Sequence, residues 1–326
     1  MNANTAPTPD PPSLPWWMQL AVPGASLITF GTHLLIAQKA PPVETRSYML
    51  LFWEIIVVSI VLAIAQRFRP ALRKWMRHMW PIFTAAILLL GVWDVITVGL
   101  HLLPLPYFPG PAAVLRNLIS DRELLFDSTW HSLVLLLSGY ILGVIVGLVS
   151  GVCIGWSSSV RYWGMPLLKV LGPIPATAWI PIAMVVSPSA IVSSAGLIAL
   201  AVWFPVTMLT ASGISNTRAS YLDVARTLGA RRLYLIFRVA IPAAVPNIFI
   251  GLFMGLGASF LTLVVAESVG VKSGLGWYVS WAQGWAEYGK VFAAIIIMAA
   301  FFSTVMTLLF KLRDRVLVWQ KGTIKW

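Results

Sequence analysis

Glu54, Asp94 and Glu267 place carboxylates within long apolar runs of this sequence, and His33 places an imidazole in another. A carboxylate at mid-bilayer costs at least about 2.5 kcal/mol on insertion scales, so each such group needs a partner or a task. Glu54 and Asp94 fall at similar depth in successive runs of opposite direction, with His33 somewhat shallower. This predicts a buried polar cluster that clips the N-terminal segment to the rest of the chain, with a proton or ion path as the alternative. Glu267 ends its run, where it either lines a mouth or braces the loop that follows. Other chemistries lack their residues. The four histidines, His33, His78, His101 and His131, have no metal-ligand spacing, and the single cysteine, Cys153, lies in an apolar helix. No serine occupies a G-x-S-x-G elbow, so a catalytic triad has no support. The stretch G-V-K-S from Gly270 lacks the glycine spacing of a phosphate loop, and the chain is expected to bind no ATP itself.

These groups must be positioned by membrane helices. A chain of 326 residues that is 59% hydrophobic and 10% charged has too little polar surface to cover a soluble core, so the expected class is an all-α polytopic membrane protein. Spanning about 30 Å of hydrocarbon takes roughly 20 helical residues. Runs of that length fall near Leu20 to Gln38, Ser47 to Ala65, Pro81 to Leu103, Thr129 to Trp156, Val170 to Val186, Ala190 to Ser212, Ala243 to Glu267 and Val291 to Phe310, giving about eight spans. The first is the weakest, diluted by Pro23, Gly24, Thr29, Gly31, Thr32 and His33. Residues 1–15 are rich in Pro and Thr without a basic residue, which suggests a disordered tail and no secretory signal.

The net charge of +12 is read through its distribution, because cytoplasmic flanks collect Lys and Arg. With eight spans and both termini cytoplasmic, one set of loops takes Arg67, Arg69, Arg73, Lys74, Arg77, Arg161, Lys169, Arg218, Arg226, Arg231, Arg232, Arg238, Lys311, Arg313, Arg315, Lys321 and Lys325. The other set keeps only Lys39, Arg46, Arg116, Arg122, Lys272 and Lys290. The charge is therefore a topology signal rather than a nucleic-acid footprint.

Small and helix-breaking residues mark the interior. Gly139, Gly143, Gly147, Gly151 and Gly155 recur at steps of four and form one slowly winding groove, suited to close helix packing within the subunit or between two copies of the chain. Gly251 and Gly255 repeat the device, so these two helices are expected to meet. Gly172, Pro173, Pro175 and Pro181 interrupt the fifth run. Broken helices are tolerated where they line a watery cavity or are buried in protein, so Thr177, Trp179 and Ser187 are path candidates, joined by Ser259, Thr262 and Glu267 on the seventh run. Simple kinks that fit neighbouring helices are the other reading.

The longest polar, basic stretch of the C-terminal half is S-Y-L-D-V-A-R-T-L-G-A-R-R-L-Y-L-I-F-R-V-A-I-P, from Ser220 to Pro242. Ser220 and Asp223 have capping-box spacing, Gly229 can end the short helix in a left-handed conformation, and a second helical stretch from Ala230 to Ile241 is expected to break at Pro242. The product is a rigid helical elbow that faces the cytoplasm. Its spacing resembles the EAA motif of bacterial ABC-importer permeases, E-A-A-x3-G-x9-I-x-L-P, with Asp223, Val224, Ala225, Gly229, Val239, Ile241 and Pro242 in the matching places. The stretches F-P-G-P-A-A-V, G-P-I-P-A-T-A-W-I-P and V-V-A-E-S-V-G-V-K-S-G-L-G-W-Y resemble the sulfonate, nitrate and taurine branch of that family.

That resemblance implies a six-helix type I importer core over residues 80–326, with the coupling loop at 213–242, preceded by a two-helix extension at 16–79. It implies a transport subunit of the bacterial inner membrane, not an enzyme, working as a homodimer with two copies of a cytoplasmic ATPase that hold ATP and Mg. An extracytoplasmic binding protein would deliver a small anionic solute of the sulfonate, taurine, nitrate or bicarbonate class. Asp223, Val224, Ala225, Arg226, Leu228, Gly229, Arg231, Arg232, Ile241 and Pro242 would carry the ATPase contact. The competing function is an ion-coupled secondary transporter or channel built on Glu54, Asp94 and Glu267.

Overall fold

The computed structural model describes residues 15–37 and 45–318. The expected tail at 1–15, apart from Pro15, and Lys39, Lys321 and Lys325 lie outside the described residues. The helices are α1 (Ala21–Ala37), α2 (Arg46–Ala65), α3 (Pro70–Asp94), α4 (Pro111–Ser120), α5 (Arg122–Trp156), α6 (Ser158–Leu171), α7 (Ile180–Val186), α8 (Ala190–Ser215), α9 (Ala219–Thr227), α10 (Ile241–Val269), α11 (Leu275–Gly284) and α12 (Tyr288–Val316). Proline at the first turn starts α3 and α4, where its missing N–H would have had no partner. Ser157 and Ser189 cap α6 and α8 through their hydroxyls.

Among the described residues, six helical stretches are long and apolar enough to cross a membrane. The fifth expected span is not a single rod: α6 and the short helical segment that ends in α7 meet at a bend of 84°. Pro173 and Pro175 cause it, since neither donates a backbone hydrogen bond and each drives its predecessor out of the helical region. The first expected span is also modified. With 17 residues, α1 is shorter than the roughly 20 a straight crossing needs.

The chain divides into two compact units, Met1–Arg122 with Ala282–Ala293, and Glu123–Trp281 with Ala294–Trp326. The first is held by aromatic packing, with Tyr48, Phe52, Met76 and Trp80 essentially buried between α1, α2 and α3. Thr29 of α1 donates to the Ile87 carbonyl at 3.3 Å and occupies the space left by Gly91. His33 Nδ1 lies 2.7 Å from Asp94 Oδ2, with both side chains buried. Glu54 does not join this pair, contrary to the cluster expected from sequence. The buried face of α2 runs through Tyr48, Phe52, Ile56 and Ser59, which leaves Glu54 exposed. Tyr48 takes its place, its ring edge-on to His33 at 4.7 Å.

The second unit is organised on α8. Gly139, Gly143, Gly147, Gly151 and Gly155 each face one member of a matching row, Ile198, Val202, Val206, Thr210 and Ile214. The two rows share a step of four, so ridge and groove stay in register along the whole contact. In lipid such contacts hold by close van der Waals packing, because leaving the bilayer gains nothing for an apolar side chain. Gly251 and Gly255 of α10 face Val206 and Val202 on the same helix. Both glycine rows therefore pack against α8 and not against each other, while the two helices that carry them do meet, as expected. Helices α5 and α10 touch elsewhere, where Tyr140 Oη donates to the Leu252 carbonyl at 2.9 Å.

Candidate coupling surface and translocation cleft

The elbow begins at Ala219, with Arg218 in the cap position and no side-chain cap. Ser220 and Asp223 therefore form no capping box, a departure from the sequence reading. Asp223 turns to Arg226 instead, at 3.0 Å. The end of α9 follows expectation: Gly229 has φ +82°, its N–H donates to the Arg226 carbonyl at 2.9 Å, and the Ala230 N–H reaches the Ala225 carbonyl at 3.0 Å. This double closure satisfies two terminal carbonyls and reverses the chain within two residues.

The return stretch differs from the expected helix with a break at Pro242. Arg232–Tyr234 forms one α turn, Leu235–Ala240 is a π turn, and α10 continues from Ile241 without interruption. Pro242 lacks an N–H for the α register, and the wider turn just before it lets the chain absorb that loss without a kink. The elbow is thus welded to a continuous helical stretch from Arg232 to Val269. Buried Leu235 and Ala240 anchor its base.

The tip of the elbow is apolar as well as basic. Leu228 is 82% exposed, and Tyr221, Val224, Leu233, Tyr234 and Phe237 are each more than half exposed. Arg226, Arg231, Arg232 and Arg238 are exposed among them. Tyr221, Val224, Ala225, Gly229, Tyr234 and Val239 line a shallow concavity on this surface. Ile241 is half-buried and Pro242 exposed at its base. The aromatic members Tyr221, Tyr234 and Phe237 escaped sequence reasoning, because a residue type does not reveal on which side of a short helix it stands.

A second concavity, of ≈ 540 Å³, opens where the bent segment meets α8 and α10. Thr177, Trp179 and Thr262 line it, together with Trp203, Phe204 and Met254. Three other sequence candidates are placed differently. Ser187 ends α7 away from this cleft, and Ser259 is fully buried with its hydroxyl on the Leu256 carbonyl at 2.6 Å. Glu267 is buried too. It accepts from Ser132 Oγ at 2.7 and 3.0 Å and from the Gly276 N–H at 2.8 Å, while Ser132 Oγ accepts from the Leu275 N–H at 2.8 Å. Gly274, at φ +103°, passes so close to this carboxylate that a Cβ would overlap it. Glu267 thus braces the loop between α10 and α11, and Ser132 is a partner 135 residues away that no local pattern could reveal.

Among the described residues, six membrane-length helices, a bent segment and an elbow extending the penultimate span define a polytopic membrane protein. Residues 139–318 match the family described as the binding-protein-dependent transport system inner membrane component, and the chain belongs to that family. It is 32% identical over 263 residues to a Bacillus subtilis protein assigned to aliphatic sulfonates transport, SsuC, covering 79% of this chain and 93% of the relative. It is 32% identical to the Escherichia coli taurine transport system permease protein TauC, over 69% of this chain and 86% of that one. The nitrate import permease protein NrtB of Leptolyngbya laminosa is 28% identical over 68% and 82% of the two chains. The chain is therefore a multi-pass inner-membrane permease component and not an enzyme. An ion-coupled mechanism gains nothing from this family, and of its proposed carboxylates Glu54 is exposed and Glu267 committed to a loop.

Proposed function

We propose that this permease conducts a small anionic solute as one of two identical subunits, driven by two copies of a cytoplasmic ATPase that dock on the Arg218–Arg238 elbow. The observation that carries the reading is the elbow itself: an exposed apolar tip among arginines, closed by Gly229 and continuous with the 38-residue stretch Arg232–Val269. A push on Leu228 or Val224 passes through the Gly229 turn to Arg232, and from there one continuous helical stretch leads to Met254, Ala258 and Thr262 at the cleft. Ala225, Leu228 and Gly229 form the close-packed part of the contact, and Arg226, Arg231 and Arg232 its polar rim. ATP and Mg stay on the ATPase. The loops richest in Arg and Lys, including the elbow, face the cytoplasm with both termini.

The cargo reading rests on the relatives, which are named for sulfonates, taurine and nitrate. The cleft residues support a conduit more than a selector, because none of those lining it is charged. Thr177 and Thr262 would offer hydroxyls, and Trp179 an apolar wall. Specificity then belongs to a separate binding protein on the outer face.

The test is substitution of Gly229 by aspartate. Residue 229 has open space around it, so the conflict is with φ +82° and with added charge, not with folding of the membrane helices. The variant is expected to insert normally and to lose both transport and co-purification of the ATPase. Normal recovery of the ATPase with the variant would overturn the coupling role.

A further inference from the structure

A groove of ≈ 340 Å³ opens in the first unit between the start of α1 and the end of α2. Leu20 and Pro23 line it on one side, and Ile60, Ala63, Ile64 and Arg67 on the other. The latter four are spaced i, i+3, i+4 and i+7, a single stripe that carries an apolar surface into a cation. Leu20 and Ile64 are each more than half exposed, so the groove opens outward from the unit and not into its core. Its frame is fixed: Trp80 Nε1 donates to the Gln19 carbonyl at 3.3 Å and ties the start of α1 to α3. The Arg67 and Phe68 N–H groups donate to the Ile64 and Ala65 carbonyls at 3.1 and 3.0 Å and turn the chain out of α2.

The charge beside the groove is one-sided. From Ile55 to Trp93 the chain holds Arg67, Arg69, Arg73, Lys74 and Arg77 and no acidic residue. Lys74, Arg77 and His78 share the side of α3 that buried Met76 and Trp80 leave open, and Arg67 and Arg69 are exposed in the turn before it. Orienting a membrane protein takes basic residues on one flank, with no demand that they gather at a groove. Depth narrows the partner. Arg67 stands two residues past α2, and Arg77 four residues before the apolar run that starts at Pro81, about 6 Å along the helix. The headgroup layer extends about 5–8 Å beyond the hydrocarbon on each side. Phe68, 80% exposed, and Trp75 stand beside these cations, at the depth that aromatic side chains favour.

We propose that this corner binds an anionic phospholipid, its phosphate held by Arg67 and Arg69 and one acyl chain lying along Ile60, Ala63 and Ile64. A guanidinium matches a phosphate with paired N–H donors, and the groove continues from it into apolar surface, which a free phosphate or an acidic protein segment does not need. Lys74 and Arg77 supply the field that favours a negative headgroup over a zwitterionic one. The lipid joins α1, too short for a straight crossing, to α2 and α3, and gives the N-terminal extension a task apart from ATPase coupling.

The experiment places the full chain in nanodiscs of phosphatidylcholine with a minority of phosphatidylglycerol and reads the retained lipid by native mass spectrometry. The native chain is expected to enrich phosphatidylglycerol over the bulk ratio. Each Lys or Arg near an anionic surface contributes about fivefold, so Arg67→Gln with Arg69→Gln should lower this preference tenfold or more. Lys311→Gln with Arg315→Gln removes the same charge at the end of α12, outside the groove, and should leave the preference unchanged. Ala63→Trp fills the groove and keeps every charge; it should lose the enrichment as well, and serves if the arginine variant fails to insert. No enrichment by the native chain, equal loss in the Lys311 and Arg315 variant, or full retention by Ala63→Trp overturns the proposal. Loss of ATPase co-purification from the Arg67 and Arg69 variant, with its lipid ratio unchanged, assigns the cluster to a protein partner and overturns it too.

Discussion

Gly143→Ala adds one methyl group at the tightest point of the α5–α8 contact. Its Cβ would stand 2.5 Å from the Ala199 carbonyl oxygen and 2.8 Å from Val202 Cβ. A carbon normally approaches a carbonyl oxygen to about 3.3 Å, so the helices must separate locally by about 0.8 Å. The obstacle is backbone and β-carbon, which cannot rotate aside. Overpacking of this kind costs about 1–3 kcal/mol, against a helix-propensity gain of about 1 kcal/mol for Gly→Ala. Gly257→Ala on α10 is the matched control, because nothing lies within 4 Å of its Cβ and only the gain applies. The two variants should therefore differ in stability by about 1–3 kcal/mol, roughly 5- to 150-fold in the unfolding equilibrium. Unfolding of the purified chain in mixed micelles with increasing dodecyl sulfate, followed by circular dichroism, measures the difference. Gly143→Leu, with a larger intrusion, should abolish assembly. Equal midpoints for Gly143→Ala and Gly257→Ala would refute the packing argument.

Two further substitutions separate bracing from conduction. Glu267→Gln keeps the shape but replaces one accepting oxygen by an NH2 group, which then faces either Ser132 or the Gly276 N–H; the loss should be about 1–3 kcal/mol, and proteolysis after Lys272 should accelerate. Unchanged protection of that loop would show that the carboxylate is not a brace. Ala258→Trp places an indole in the cleft lined by Thr177 and Thr262, and transport should fall at least tenfold while the ATPase still co-purifies. Undiminished transport by that variant would move the path elsewhere.

Much of the architecture is legible in the sequence, because its signals are local. Apolar run length reports a membrane crossing, the step of four in the α5 glycines reports a groove, and Gly229 reports a left-handed turn, each without reference to a distant residue. The structure departs from that reading where a single position had to be judged by what lies across from it. Depth along the helices groups Glu54 with Asp94, yet depth leaves rotation about the helix axis undetermined, and α2 turns Tyr48 inward in its place. Pro242 reads as a break in the sequence, yet the π turn that ends at Ala240 restores continuity.

Glu267 and Ser132 show the same division most clearly. The sequence by itself determined that a carboxylate ends the seventh apolar run and that glycines follow at residues 270, 274 and 276. Only the tertiary structure decided that this carboxylate is a brace, because its partner comes from another helix and its exposure depends on the loop folded over it. The elbow repeats the lesson in reverse. Its turn is written in Gly229, since φ is a property of one residue, whereas its exposed apolar tip exists only because Leu235 and Ala240 bury the opposite side.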